Sequence, residues 1–330
     1  MKSSFFAPIQ VPPAARPKLF VVVDTEEEFD WSAPFARENT SVTAIADAGR
    51  LQSVVKPYGL KPTYVVDYPV ASTASSAATL AAFASDGAAR IGAHLHPWVT
   101  PPFDEPLVPE MSFGCNLGAP IEKAKILHLR EAIVRNMDVT PRVFKAGRYG
   151  FGESTADILE ASGFTVDASV VPHMDFTAEK GPSFNGFTPG PGRFGRGRAM
   201  LELPCTTGFI GAGRKSGEPL HRLASTSVLR RLRAVGILAR TRVLNKVMLS
   251  PEGNTLEEMK ALTRALHGDG LRTFAMTFHS PSLKPGCTRY VRTGEEREQF
   301  LKTIDQYCEF FFGEMGGQPT TPEELYAELI

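Results

Sequence analysis

The sequence predicts an α/β protein whose parallel strands curl into a distorted, seven-stranded (β/α) barrel. Three observations lead there. Short β-branched apolar runs alternate with stretches of helix length, seven such runs can be counted, and four of them end in ionisable residues. Alternation of this kind makes βαβ units, and in such folds the reactive groups gather at the carboxyl ends of the strands.

The first run, Leu19 to Asp24, has the uninterrupted Val/Leu/Phe character of a buried parallel strand. A helix follows over Val42–Val55, with Ile45, Leu51, Val54 and Val55 on its apolar face, and Pro57-Tyr58-Gly59 stops it. Pro62 to Val66 is the second strand, closing in Asp67. The alanine-rich stretch Ala77–Ala89 is a good helix former and leads into a third strand, Arg90 to His96. The alternation continues with a helix over Ile121–Met137, a strand over Arg142–Ala146, a helix over Ser154–Ala161 stopped by Gly163, and a strand over Phe164–Ala168. Ala199–Pro204 and Arg272–Phe278 are the sixth and seventh strands. Asn254 with Glu257 and Thr293 with Glu296 read as capping boxes, and Thr321-Pro322-Glu323-Glu324 opens the last helix.

One domain is expected over residues 19–330, preceded by a loose arm, residues 1–18, that carries four prolines. A Gly/Pro/Arg-rich excursion at about 176–250 separates the fifth and sixth strands by more than a usual loop and runs on beyond the sixth. Hydrophobic residues make up 42% of the 330 residues and charged residues 22%, which suits a globular core and excludes disordered and coiled-coil classes. Thirty-six Lys and Arg balance 36 Asp and Glu, which argues against a dedicated nucleic-acid binder. Cys115, Cys205, Cys287 and Cys308 show no CxxC spacing and fit reduced thiols. No apolar run is long enough for a transmembrane segment, so a cytoplasmic protein is expected. Charge is unevenly placed: Arg193 to Lys246 holds twelve Lys and Arg against two Asp and Glu. That is either a solvated helix face around Leu229–Leu244 or a rim that attracts an anionic substrate or surface.

Chemistry is expected at the strand ends. His94 and His96, at i and i+2 on an extended segment, point to one face and can share an ion with Asp24 and Glu26 of a neighbouring strand. His279 follows the seventh strand, where a general acid is useful. Asp167 is a candidate to orient it, and Arg148 a candidate to hold a carboxylate ionised.

In chain order, Val23-Asp24-Thr25-Glu26, His94-Leu95-His96-Pro97-Trp98 and Phe278-His279-Ser280-Pro281-Ser282-Leu283 resemble the polysaccharide deacetylase (NodB-homology) superfamily, and most of all its divergent WalW-type branch. The resemblance runs from about Leu19 to Phe312. It implies hydrolysis of an N- or O-acetyl group on a sugar by metal-activated water, with one of Asp24 and Glu26 as base and the other as ligand. His94 and His96 would be further ligands, and the backbone N–H of Tyr149 would meet the oxyanion. The Asp-x-Ser motif falls on Asp167 to Ser169 and the late histidine motif on His279. Lys145 and Arg148 remain rival cations, since the arginine motif lacks its proline. Zinc is the expected metal, with cobalt or nickel as substitutes, and the partner is an acetylated sugar or glycan precursor, an anionic one included. Two other readings stand beside it: a deacetylase-like barrel that binds glycan or a biosynthetic partner without catalysis, and an amidohydrolase-type metal hydrolase.

Overall fold

The computed structural model describes residues 5–30, 33–226 and 234–330. Its strands are β1 (Ala7–Pro8), β2 (Lys18–Thr25), β3 (Thr63–Val66), β4 (Arg90–Leu95), β5 (Val143–Ala146), β6 (Val166–Asp167), β7 (Gly192–Phe194), β8 (Met200–Glu202), β9 (Thr207–Ile210), β10 (Asn245–Met248), β11 (Thr273–His279) and β12 (Gln318–Pro319). Seven of them, in the order β11-β2-β3-β4-β5-β6-β8, form the expected parallel array. Among the described residues no ladder joins β8 to β11. Instead Ala275 N–H donates to Thr206 Oγ1 at 2.8 Å and Thr277 N–H to Leu249 O at 3.1 Å, so the barrel is curled but incomplete.

The helices are α1 (Ala48–Val55), α2 (Tyr68–Ser72), α3 (Ala74–Ser85), α4 (Ala119–Met137), α5 (Glu153–Ala161), α6 (Gly217–Ala224), α7 (Ala234–Arg240), α8 (Leu256–Gly268), α9 (Gly294–Glu309) and α10 (Pro322–Leu329). Thr293 caps α9 and Thr321 with Glu324 boxes α10, as the sequence implies. The box of α8 lies one residue later than expected, on Thr255 and Glu258, because Asn254 instead donates to the carbonyls of Ser250 and Glu252. Of the helical face expected over Leu229–Leu244, residues 227–233 lie outside those described, and Ala234–Arg240 is helical.

Where a loose N-terminal arm was expected, the described part is held. β1 pairs with β7, and the Phe6 ring packs 5.3 Å from Phe194 and 5.8 Å from Phe187. The prolines that weaken helix and sheet locally do not stop one buried phenylalanine from anchoring the segment.

Side-chain alternation sorts the strands into two layers. Phe20 and Val22 of β2, Val65 of β3, Val143 of β5, Val166 of β6, Leu201 of β8 and Ala275 of β11 make one buried cluster, plugged by Leu325 of α10. Their strand neighbours, such as Val21, Val23, Tyr64, Phe144 and Met276, join the larger cluster that includes the flanking helices. The first layer is therefore the lumen of the curl, and this parity decides which ionisable groups reach the mouth.

Candidate metal centre and cleft

The lumen parity of β2 continues from Phe20 and Val22 to Asp24. On β5 it passes from Val143 to Lys145, and on β11 from Ala275 through Thr277 to His279. On β4, Ile91, Ala93 and Leu95 belong to the outer layer, so His94 and the following His96 face inward. Position 92 shares that inward face, and only glycine fits there, since a Cβ would stand 2.8 Å from both Val143 O and Val65 Cγ1. These side chains open on a cleft of about 1060 Å³, whose lining includes Asp24, Glu26, His94, His96, His279 and the loop Gly286–Tyr290.

Glu26, His94 and His96 converge, with ligand atoms all within 4.8 Å of one another. One Glu26 oxygen lies 3.4 Å from His94 Nε2 and 3.3 Å from His96 Nε2, and all three residues are buried. Both rings are tied back through Nδ1, His94 to the Lys145 carbonyl at 2.9 Å and His96 to Glu27 at 2.7 Å. That leaves both Nε2 atoms facing the same carboxylate, a donor set that fits a divalent ion of the zinc class. Burial by itself raises the Glu26 carboxyl, but the charge of His279 and hydrogen bonds from His94 and His96 outweigh it and hold the group ionised, well below the usual range. A second buried group, Glu27, Asp67 and His96, also clusters. Its oxygens are engaged: Glu27 accepts from Trp98 Nε1 at 2.8 Å and from His96, while Asp67 accepts from the backbone of Glu27 and Val70. It acts as the brace behind His96.

Asp24 stands apart from the triad. Both its oxygens accept from Lys145 Nζ, at 2.7 and 2.8 Å, and Lys145 also donates to Thr277. Burial works against the Lys145 ammonium, yet the Asp24 charge raises its pKa. Between the rival cations Lys145 therefore partners Asp24. Arg148 instead pairs with Glu179 and Ser112, and its guanidinium lies 4.2 Å from the centre of the Phe113 ring. Arg148 and Tyr149 both take positive φ, 52° and 59°, at the end of β5, which brings both residues to the cleft lining.

The expected link between Asp167 and His279 is corrected. Asp167 follows the inward Val166, so it takes the outer parity and accepts from the Ser169 hydroxyl at 2.6 Å and the Ser169 N–H at 3.0 Å. It lies in register with Glu202, and burial raises both carboxyls; the neighbouring Asp167 raises Glu202 further, while the hydrogen bond between the two offsets part of the rise at Asp167. His279 is oriented by Glu252, which sequence reasoning missed: Glu252 Oε2 lies 2.7 Å from His279 Nδ1, and Ser282 donates to the other oxygen. His279 Nε2 is 3.8 Å from Asp24. Burial lowers the His279 imidazole, but the carboxylates of Glu252 and Glu26, with Asp24, outweigh it and lift the ring to about 10.

No residue of Arg193–Lys246 lines the cleft among those described. The lining instead adds the carboxylates of Glu28, Asp30 and Glu179 with Arg148 and Arg289, so the described part of the basic segment forms no part of the cleft wall.

No family model matches the chain, and no curated protein matches it. Solved structures do. A candidate polysaccharide deacetylase from Mycobacterium smegmatis aligns at TM-score 0.56 and 14% identity over 98% of this chain and 93% of that one. The Xyl-CE4 domain of a multidomain xylanase from the hindgut metagenome of Trinervitermes trinervoides aligns at TM-score 0.45 and 9% identity over 95% and 91%. A family 4 acetyl xylan esterase from Clostridium thermocellum, solved with a cobalt ion, aligns at 0.44 and 11% over 94% and 90%. With the seven-stranded curl, the first of these likenesses shows that the chain has the polysaccharide-deacetylase fold.

Proposed function

We propose that this protein is a metal-dependent carbohydrate deacetylase, removing an N- or O-acetyl group from a sugar or glycan precursor. The carrying observation is one cleft that brings together the Glu26–His94–His96 triad, Asp24 and His279, with Lys145 behind Asp24. Glu26, His94 and His96 would hold the ion, with zinc the first choice and cobalt or nickel able to replace it. When bound, a divalent ion polarises an acetyl carbonyl and makes water a nucleophile near neutral pH.

Asp24 is the proposed base. Lys145 donates to both its oxygens and fixes the carboxylate at the lumen mouth, where it can take a proton from water entering the cleft. His279 is the proposed acid. Glu252 holds its Nδ1, which leaves Nε2 turned toward Asp24 and free to protonate the departing sugar nitrogen or oxygen. The Tyr149 backbone N–H is the proposed donor to the developing oxyanion. The four free cysteines fit a reducing compartment such as the cytoplasm. No helix among the described residues is long and apolar enough to cross a membrane.

The test is elemental analysis of protein purified without chelator, together with acetate release from acetylated glucosamine and xylose oligomers. About one equivalent of metal, lost in His94→Ala and His96→Ala folded variants, with metal-dependent acetate release, is the expected result. No metal uptake and no acetate release would leave a glycan-binding barrel as the better account.

A further inference from the structure

The basic excursion builds a lobe of its own, which the cleft does not use. β9 and β10 pair as a separate two-stranded sheet, with α6 and α7 strung between them. Residues 207–248 contain nine Lys and Arg and a single carboxylate, Glu218. Glu218 is turned inward, against His173 Nδ1 and the Gly186 N–H. Asp269 of the neighbouring loop neutralises Arg214 and Lys215. Arg222, Arg240 and Arg242 are exposed and have no carboxylate partner among the described residues.

Apolar side chains are exposed on this same lobe. Ten large apolar residues are exposed among those described, and four of them are here: Leu223 at 60%, Ile237 at 56%, Val243 at 39% and Leu220 at 38%. Leu220 and Val243 converge over Gly213, where an added Cβ would lie 3.4 Å from Leu220 Cδ1 and 3.8 Å from Val243 Cγ1. Isolated exposed leucines are ordinary, but aliphatic side chains grouped among unpaired arginines are the pattern of a segment that lies in a lipid interface.

We propose that the α6–α7 lobe docks this protein on an anionic phospholipid surface, the aliphatic side chains entering the headgroup boundary and the arginines meeting lipid phosphates. Charge complementarity selects this partner: arginine forks match phosphate, and the interleaved side chains are aliphatic, with no exposed aromatic on the lobe for base stacking. The lobe is joined to the chemistry. β10 runs directly into Leu249–Glu252, whose last residue holds His279, and Lys246 Nζ donates to the His173 carbonyl near Phe176 of the cleft lining. Docking would therefore set the cleft beside the membrane. With the deacetylase reading, the substrate becomes a glycan carried at that surface, whereas the docking itself stands without that reading.

Vesicle flotation tests it with no activity measurement. The parent is expected to float with phosphatidylcholine vesicles that contain phosphatidylglycerol, and not with phosphatidylcholine alone. It should be released as salt rises from about 0.1 M to about 1 M, where the Debye length falls from about 10 Å to about 3 Å. Each arginine near the surface is worth about fivefold in partitioning, so Arg222→Gln, Arg240→Gln and Arg242→Gln together should lower it about a hundredfold. Leu223→Ser with Ile237→Ser should also release the protein. Thermal melts accompany both sets, and if the serine variant does not fold, the glutamine variant decides alone. The proposal is overturned if the parent does not float, if neutral and anionic vesicles serve equally, or if both variants float like the parent. It is also overturned if the lobe residues govern only self-association or RNA binding in the absence of flotation.

Discussion

Two buried ionisable pairs stand on the same sheet. On β2 and β5, Asp24 meets Lys145, and on β6 and β8, Asp167 lies in register with Glu202. Both stand at or near strand ends, and all four residues are buried. They differ by one residue of parity. Asp24 and Lys145 continue the lumen face and arrive at the cleft as a charged pair. Asp167 and Glu202 follow the inward Val166 and Leu201, so they turn outward against Ser169 and the Val170 N–H, with no cation to share. A strand end is therefore not enough to make a reactive group. The face of the strand decides, and after it the sign of the neighbour.

Exchange of the two aspartates for asparagine tests the comparison at its widest point. Asp24→Asn should lower acetate release by about 10²–10⁴, the usual range for loss of a base, at little change in substrate binding. Asp167→Asn should change it less than about tenfold, because Asp167 touches no cleft residue. Equal losses in steady-state assays would break the parity argument. Stability separates the pairs as well. Lys145→Met strands the buried Asp24 charge and should cost about 3–5 kcal/mol in urea denaturation, and adding Asp24→Asn should recover part of it. Glu202→Gln replaces a carboxyl that burial already disfavours as an anion, and a change within about 1 kcal/mol is expected.

The same parity explains what the sequence could and could not disclose. All seven barrel strands were legible, since short apolar runs alternating with helix-length stretches are a strong local signal, and four of the runs also end in ionisable residues. Asp24, Glu26, His94, His96 and His279 came with them, and the structure brings these five to one cleft. Asp167 misled because β6 is only two laddered residues long, and Phe164 and Val166 both read as buried whichever face is inward. Glu252 was hidden for a different reason. It lies in the irregular turn after β10, where no periodicity marks a side chain, and its only signal is its place three residues before the Thr255 cap. Glu27 stands beside Glu26 and Glu28, and nothing in that run of glutamates sets it apart; only the fold shows its oxygens on His96 and Trp98. The charge of the basic segment was plain, and its separation from the cleft was not, because that depends on where β9 and β10 leave the barrel.

Glu122 of α4 sharpens the contrast between buried carboxyls with and without a cation. It is fully buried, and among the described residues the hydroxyls of Thr155 and Ser154 donate to it. Burial lifts it from 4.5 to about 7, and those hydrogen bonds offset the lift only in part. Because the folded-state value lies above the unfolded one, the folded protein binds more protons between the two. Stability from this group is therefore complete below about pH 4.5 and is lost as pH rises through about 7. At 1.36 kcal/mol per pH unit, the loss is about 2–3 kcal/mol between pH 5 and 8. Glu122→Gln should lack this slope, so the difference between parent and variant in urea denaturation should change by that amount over the range. A constant difference would mean that Glu122 is ionised in the fold, as a cation-paired carboxylate is.

The smallest expected effect is at Glu252, where it distinguishes orientation from charge. Glu252→Gln keeps the side chain's shape and an oxygen that can still accept from His279 Nδ1. Its new NH₂ faces the Ser282 hydroxyl and the His279 backbone N–H, both of which donate to Glu252 in the parent. The ring is then held less firmly, and it also loses the carboxylate that contributes most to raising its pKa. At a pH low enough to keep His279 protonated in both proteins, only the looser placement counts and a loss of about tenfold in kcat is expected, in line with a displaced supporting group. As pH rises the two should diverge. The active form needs the proton on His279, so the rate falls as pH rises through its pKa, and a lower pKa in the variant brings that fall to lower pH. A pH profile of kcat/KM reads this directly, since its alkaline limb reports the free enzyme's acid. If the alkaline limb stays where it is in the parent while kcat drops, Glu252 positions the ring without tuning it. If neither moves, the proton comes from another group, and His279 belongs with Asp167 among strand-end residues that only hold the fold.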